Sequence, residues 1–106
     1  MFKDDITLIY VDNSQKNENG YPITVETRYP AFAEKMSVDR KEFYTSLQAG
    51  ISPTAIFKMR NEDYEETKHI VDGKAVYASI VEYDGGRYDI IRGYVIGDGM
   101  IELTCK

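Results

Sequence analysis

The 106-residue chain has the length of one ordinary domain, and its 42 % hydrophobic and 29 % charged residues exclude a disordered tract. With 13 Lys and Arg against 18 Asp and Glu, the net charge of −5 argues against a domain that grips phosphates. It points instead to solubility and protein partners.

Nine Tyr, four Phe and no Trp suit half-buried sheets and protein contacts, because Tyr buries a ring and keeps its hydroxyl wet. Residues 5–11, "DITLIYV", are β-branched and aromatic and predict a first strand. The polar "DNSQKNENG" ends in Asn-Gly and predicts a hairpin loop. From Pro22 to Met36, Ile23, Val25 and Thr27 alternate with Thr24, Glu26 and Arg28, which is a strand with one wet face. Pro30 cannot donate to a ladder, so the strand bends, bulges or lies at an edge there.

The period then changes. Asp39 and Glu42 resemble a capping box, Phe43 and Leu47 share a helix face, and Gly50 can end the helix. This predicts a short amphipathic helix over 39–49, followed by a strand from Pro53 to Arg60. The last third, "KHIV", "KAVYASIVEY", "RYDIIRGYVI" and "MIELTCK", is divided by Asp72-Gly73, "DGG" and "GDG". Each divider supplies the positive φ of tight hairpins. Ile101, Leu103 and Cys105 take one face of the final strand. The expected fold is mainly β: a single-domain antiparallel barrel of six to seven strands, with one short helix between the second and third strands.

The inventory for catalysis is thin. His69 is the only histidine and reads as a partly exposed strand residue, and Cys105 reads as an inward strand residue. One His and one Cys make neither a zinc site nor an oriented nucleophile pair. The glycines fit hairpins and no phosphate loop. Glu62, Asp63, Glu65 and Glu66 lack the spacing of a calcium loop and read as an acidic turn. No enzyme activity, cofactor or metal is expected. Arg87, Tyr88, Arg92 and Tyr94 alternate cation and ring, and on a strand Tyr88, Arg92 and Tyr94 share a face. An OB-like module binding single-stranded nucleic acid is therefore the alternative function. No apolar stretch approaches the ~20 residues that span a bilayer. The two acids opening "MFKDDITLIY" are wrong for a secretory signal, and a lone cysteine fits a reducing cytosol.

The ordered set "EFY", Gly-Pro punctuation, a strand ending in Arg, "EDYEE", "IVDGKAVYASIVEY" and "RYDIIRGYVIGDGMIELTC" resembles the head–tail joining, or head-closure, proteins of long-tailed bacteriophages and defective prophages. The resemblance covers about residues 5–105. Asp63-Tyr64 matches the family's Asp-Tyr after the third strand, and Glu102-Leu103 matches its final Glu-Leu strand. Gly73, Lys74 and Tyr77 match its Gly-Lys-x-Tyr turn, with one extra residue before the Tyr.

The resemblance implies a barrel that self-associates as a ring beneath the portal of a DNA-filled capsid. Portal-connector and tail-completion proteins would be its partners, and packaged DNA would pass through without specific binding. It implies a location in the bacterial cytoplasm during assembly and then in the neck of the particle. In that picture the excursion over 37–53 presents Ser37, Arg40, Lys41, Tyr44, Gln48 and Ile51 to a partner or the channel. Phe43 and Leu47 dock its helix, and Asp63 and Tyr64 form a structural turn.

Overall fold

A computed structural model describes residues 3–36 and 54–106. The elements in chain order are β1 (Asp4–Lys16), β2 (Pro22–Met36), β3 (Ala55–Arg60), α1 (Asn61–Glu65), β4 (His69–Val71), β5 (Lys74–Val76), β6 (Ile80–Tyr83), β7 (Gly86–Gly97) and β8 (Met100–Cys105). Two antiparallel meanders, β1-β2-β3 and β6-β7-β8, meet along two seams. β3 pairs with β8 from Ala55↔Cys105 to Arg60↔Met100, and β1 pairs with β6 from Thr7↔Glu82 to Ile9↔Ile80. The six strands therefore close into a barrel, and among the described residues β4 and β5 pair only with each other.

Period-2 patterning explains the closure. Ile6 and Leu8, Ala55, Phe57 and Met59, and Ile101, Leu103 and Cys105 alternate inward and fill the core with Val81. Phe57 is its central ring, meeting Tyr83 at 5.7 Å and Tyr88 at 5.5 Å in edge-on contacts. Gly93 lies opposite Leu103, where a Cβ would come within 3.0 Å of Ile101 Cδ1 and 3.2 Å of Leu103 Cδ2. The missing side chain there lets the β7 backbone lie close on the core.

The three Asp-Gly turns form as the sequence predicts. Asp72-Gly73, Asp84-Gly85 and Asp98-Gly99 all have positive φ and link partners separated by two residues. That is the mirror-image turn whose twist matches a hairpin. Pro30 sits in the β1–β2 ladder opposite Thr7, where among the described residues the other side of β2 is unpaired because β3 joins only Ala33–Met36.

Four expectations are corrected. The described helix is α1, after the third strand, where an acidic turn was expected; the expected helix over 39–49 lies outside the described residues. α1 forms because Glu62 and Asp63 sit at its positive N-terminal end, and Thr67 Oγ1 donates to the Tyr64 carbonyl near its end. β1 continues to Lys16 rather than ending at Val11. Asp12 steadies a bulge by accepting from the Ser14 N–H, Ser14 Oγ and Gln15 Nε2, so polar residues extend the strand. "KAVYASIVEY" is split into β5 and β6, because the chain leaves the barrel for the β4–β5 hairpin and re-enters at Ala78. Finally, the apolar face of early β2 is not in the core: Ile23 is 39 % and Val25 41 % exposed, since that part of the ladder runs past β3 and β6.

Candidate functional site

The antiparallel pairing gives the barrel two distinct ends. At the start of β3, Met36 and Ile56 are paired, so the excursion over 37–53 leaves and returns there. Ser37, Arg40, Lys41, Phe43, Tyr44, Leu47, Gln48 and Ile51 all lie in it, outside the described residues. At the other end of β3 stand α1, the β4–β5 hairpin, the free length of the β1–β2 hairpin and the β7–β8 turn. That end carries the described candidates.

His69 is held there more tightly than a strand residue before a turn suggests. Its ring stacks on Tyr10 at 3.7 Å with planes 8° apart, and its Nε2 is 3.0 Å from the Tyr29 hydroxyl. Tyr10 comes from β1 and Tyr29 from β2, so one imidazole pins the hairpin to the arm. Ser14, chiefly through its hydroxyl, pulls the Asp12 carboxyl below its usual range.

Asp63 and Tyr64 sit side by side on α1. Tyr64 packs against the core and stacks on Tyr77 at 5.0 Å. Burial raises the pKa of the Tyr64 hydroxyl; burial and a hydrogen bond to Glu65 do the same for Tyr77. Beneath this pair Thr67 is fully buried. Its hydroxyl donates to the Tyr64 carbonyl at 2.8 Å and accepts from the Ala78 N–H at 3.0 Å. No sequence signal marks Thr67, because a lone Thr among charged residues has no period to read.

The acids near α1 do not converge. Glu62 pairs with Arg60, Glu65 accepts from Tyr77, and Glu62, Glu65, Glu66 and Asp98 line an open cleft beside Asn61. Among the described residues no group of three or more His, Cys, Asp or Glu side chains is placed to hold a metal ion. Cys105 is buried, and burial pushes its thiol up to about 12, so it is a neutral core group at physiological pH.

The aromatic–cation face of β7 comes apart. A bulge between Ile90 and Arg92 shifts the register. Tyr88 and Ile90 turn inward onto the core, while Arg92 stands opposite Thr104 with its guanidinium 5.0 Å from the Tyr94 ring centre. Arg87 is engaged elsewhere: its NH1 and NH2 bind both oxygens of Glu26 at 2.8 and 2.9 Å. Arg28 binds Glu82 at 3.0 Å, and both carboxyls are held below their usual range, chiefly by these hydrogen bonds. Two cations suited to phosphate are thus committed to carboxylates.

This end also exposes large apolar side chains: Tyr21, Ile23 and Val25 on the arm, Ile70, Val71 and Val76 on the hairpin, and Tyr94, Val95 and Ile96 on β7. Three neighbouring elements with uncovered apolar side chains are the features of a protein-binding surface. Among the described residues no helix is long and apolar enough to cross a membrane. No family model matches the chain, and no curated protein matches it either.

Proposed function

We propose that this chain is a structural assembly protein of the head–tail junction of a long-tailed phage or defective prophage. It would act without catalysis, as one subunit of a ring under the portal that joins head to tail and helps close the DNA channel. The observation that supports this reading most is the placement of its excursions at opposite ends of β3. Residues 37–53 leave beside the Met36↔Ile56 pair, and the arm, hairpin and α1 gather beyond Arg60. A barrel with partner elements at both ends suits a layer stacked between two others.

In this reading Ser37, Arg40, Lys41, Tyr44, Gln48 and Ile51 meet a partner or the channel, and Phe43 and Leu47 seat their segment. The net charge of −5, with Arg28 and Arg87 paired to Glu82 and Glu26, suits a channel that lets DNA slide without holding phosphates. The subunit would assemble in the bacterial cytoplasm and remain in the particle neck. The nucleic-acid alternative needs Tyr88, Arg92 and Tyr94 on one face, and the β7 bulge removes that geometry.

The test is genetic and visual. Deleting the gene and inducing particle formation should give heads that lose DNA and lack tails in electron micrographs. The intact chain supplied in trans should restore them, and a chain with 37–52 replaced by a Gly-Ser linker should not. Tailed, DNA-filled particles formed without the chain would overturn the proposal.

A further inference from the structure

Two strands that each have an unpaired side among the described residues, β1 and β4, line a common groove at the arm end of the barrel. β1 is joined to β6 only over Thr7–Ile9, and the last main-chain bond on that side runs from the Ser79 N–H to the Ile9 carbonyl. Beyond Ile9, β1 continues to Lys16 with β2 as its only ladder partner among the described residues. Among the described residues β4 is likewise paired on one side only, with β5. Between them lies a groove of about 570 Å³, to which the arm contributes Val11 and Asp12 and the hairpin His69, Val71 and Asp72. Its two walls are fixed relative to each other, because the His69 ring is stacked on Tyr10 and bonded to Tyr29.

Unpaired strand edges are templates for another strand, and proteins usually blunt them with Lys or Pro. β2 does so, with Pro22 and Pro30 on its free length. The free edge of β1 has neither before Lys16. The groove also has a sign. Asp12 and Asp72 line it, and no Lys or Arg does. Hydrogen bonds from Ser14 and Gln15 keep Asp12 in its charged form. Val11, Val71 and Val76 supply apolar contact between the carboxylates.

We propose that this groove is a strand-addition site for an extended segment of a partner protein carrying Lys or Arg among β-branched side chains. Main-chain bonds to the Val11–Asn13 edge would fix the register, the valines would take the apolar side chains, and Asp12 and Asp72 would pair with the cations. The bulge between Asp12 and Gln15 ends the usable edge, so the added strand is short and its side chains decide the affinity. This site does not depend on the head–tail reading.

The probe is a capped eight-residue peptide of alternating Lys and Val, titrated into the isotope-labelled full chain at low salt and followed by amide NMR. Saturable shifts confined to Val11–Asn13 and His69–Asp72 are expected. The double variant Asp12→Asn, Asp72→Asn should bind roughly tenfold more weakly, the scale of losing close charge pairs. Asn tolerates the positive φ of Asp72, 52°, so an unchanged thermal midpoint shows that this variant is folded. A Glu–Val peptide should not bind, and a Lys–Val peptide methylated on alternate backbone nitrogens should lose binding. Equal binding by the Glu–Val peptide overturns the charge assignment, and equal binding by the methylated one overturns strand addition. Shifts elsewhere or none overturn the site. Concentration-dependent broadening of the same amides without peptide would give the groove to a second copy and overturn the partner proposed.

Discussion

The barrel wall and the β4–β5 hairpin use the same alphabet of short strands and Asp-Gly turns, yet they are held by different forces. Each barrel strand is laddered on both sides, and its inward residues (Leu8, Phe57, Met59, Leu103) are fully buried. Among the described residues the hairpin is laddered only to itself, and every residue of β4 and β5 except His69 is exposed. Side chains tie it down: His69 to Tyr10 and Tyr29, and Thr67 to Tyr64 and Ala78. An isolated two-stranded hairpin is marginal in water. This hairpin therefore depends on side-chain ties from its flanks, while its own apolar side chains Ile70, Val71 and Val76 stay uncovered.

The largest effect should come from breaking the wall. Phe57→Ala removes the ring that both Tyr83 and Tyr88 pack against in a fully buried site. It should cost about 3–5 kcal/mol, as truncation of a buried Phe does. Denaturant unfolding would measure this, and Cys105 should become open to a thiol reagent in step with unfolding, since it is buried in the same cluster. A loss below about 1 kcal/mol would mean that the core is not centred on Phe57.

Thr67→Val comes next. The swap preserves shape but leaves the buried Ala78 N–H without its acceptor and the Tyr64 carbonyl without that donor. The expected loss is about 1–3 kcal/mol. Amide exchange should quicken at Ala78 and in α1, where the lost bonds lie. Unchanged exchange at both places would show that Thr67 does not couple the helix to β6.

The barrel was legible in the sequence, and the reason is periodicity joined to turn chemistry. Ile101, Leu103 and Cys105 alternate inward as read, and all three Asp-Gly turns have the backbone they advertise. The arm and hairpin were not legible. Ile23, Val25 and Thr27 show the same alternation as a core strand, but burial depends on which strand lies opposite, and that is a long-range fact. The β7 bulge is equally silent: "DIIRGY" has no residue that announces an extra one, so Tyr88 and Tyr94 were expected on a shared face. "NEDYE" reads as a turn from its acids alone, and forms a helix whose last turn a distant-looking Thr67 closes. The pin through His69 needs β1, β2 and β4 to converge, which no local window contains.

His69→Ala separates the two regions more sharply. It removes a stack and a hydrogen bond from a partly exposed ring, so the global cost should be about 1 kcal/mol. The informative readout is local. Amides of β4 and β5 should exchange faster while those of β3 and β8 keep their protection, because hairpin opening is a sub-global event. If the barrel amides lose protection equally, the hairpin is part of the cooperative core and the contrast drawn above fails.

The smallest effect belongs to the outer wall, where Glu26, Arg28, Glu82 and Arg87 link β2, β6 and β7 over the outward-facing Ile9. Ile9 is fully buried yet stands outside the main core cluster, so these side chains serve as its roof. Both carboxyls have folded pKa values below the ordinary 4.5, held there mainly by Arg87 at Glu26 and by Arg28 at Glu82. A depressed carboxyl stabilises the fold above its unfolded pKa, and that contribution disappears as pH falls through the lower folded value. The thermal midpoint should therefore be insensitive to this cluster between pH 8 and 5 and should decline below about pH 4.5. The double variant Glu26→Gln, Glu82→Gln should flatten that acid decline while lowering the neutral-pH midpoint slightly, and added salt should shrink the difference. Parallel acid declines in the two proteins would show that the arginines stabilise the wall by covering Ile9 with their stems rather than by pairing.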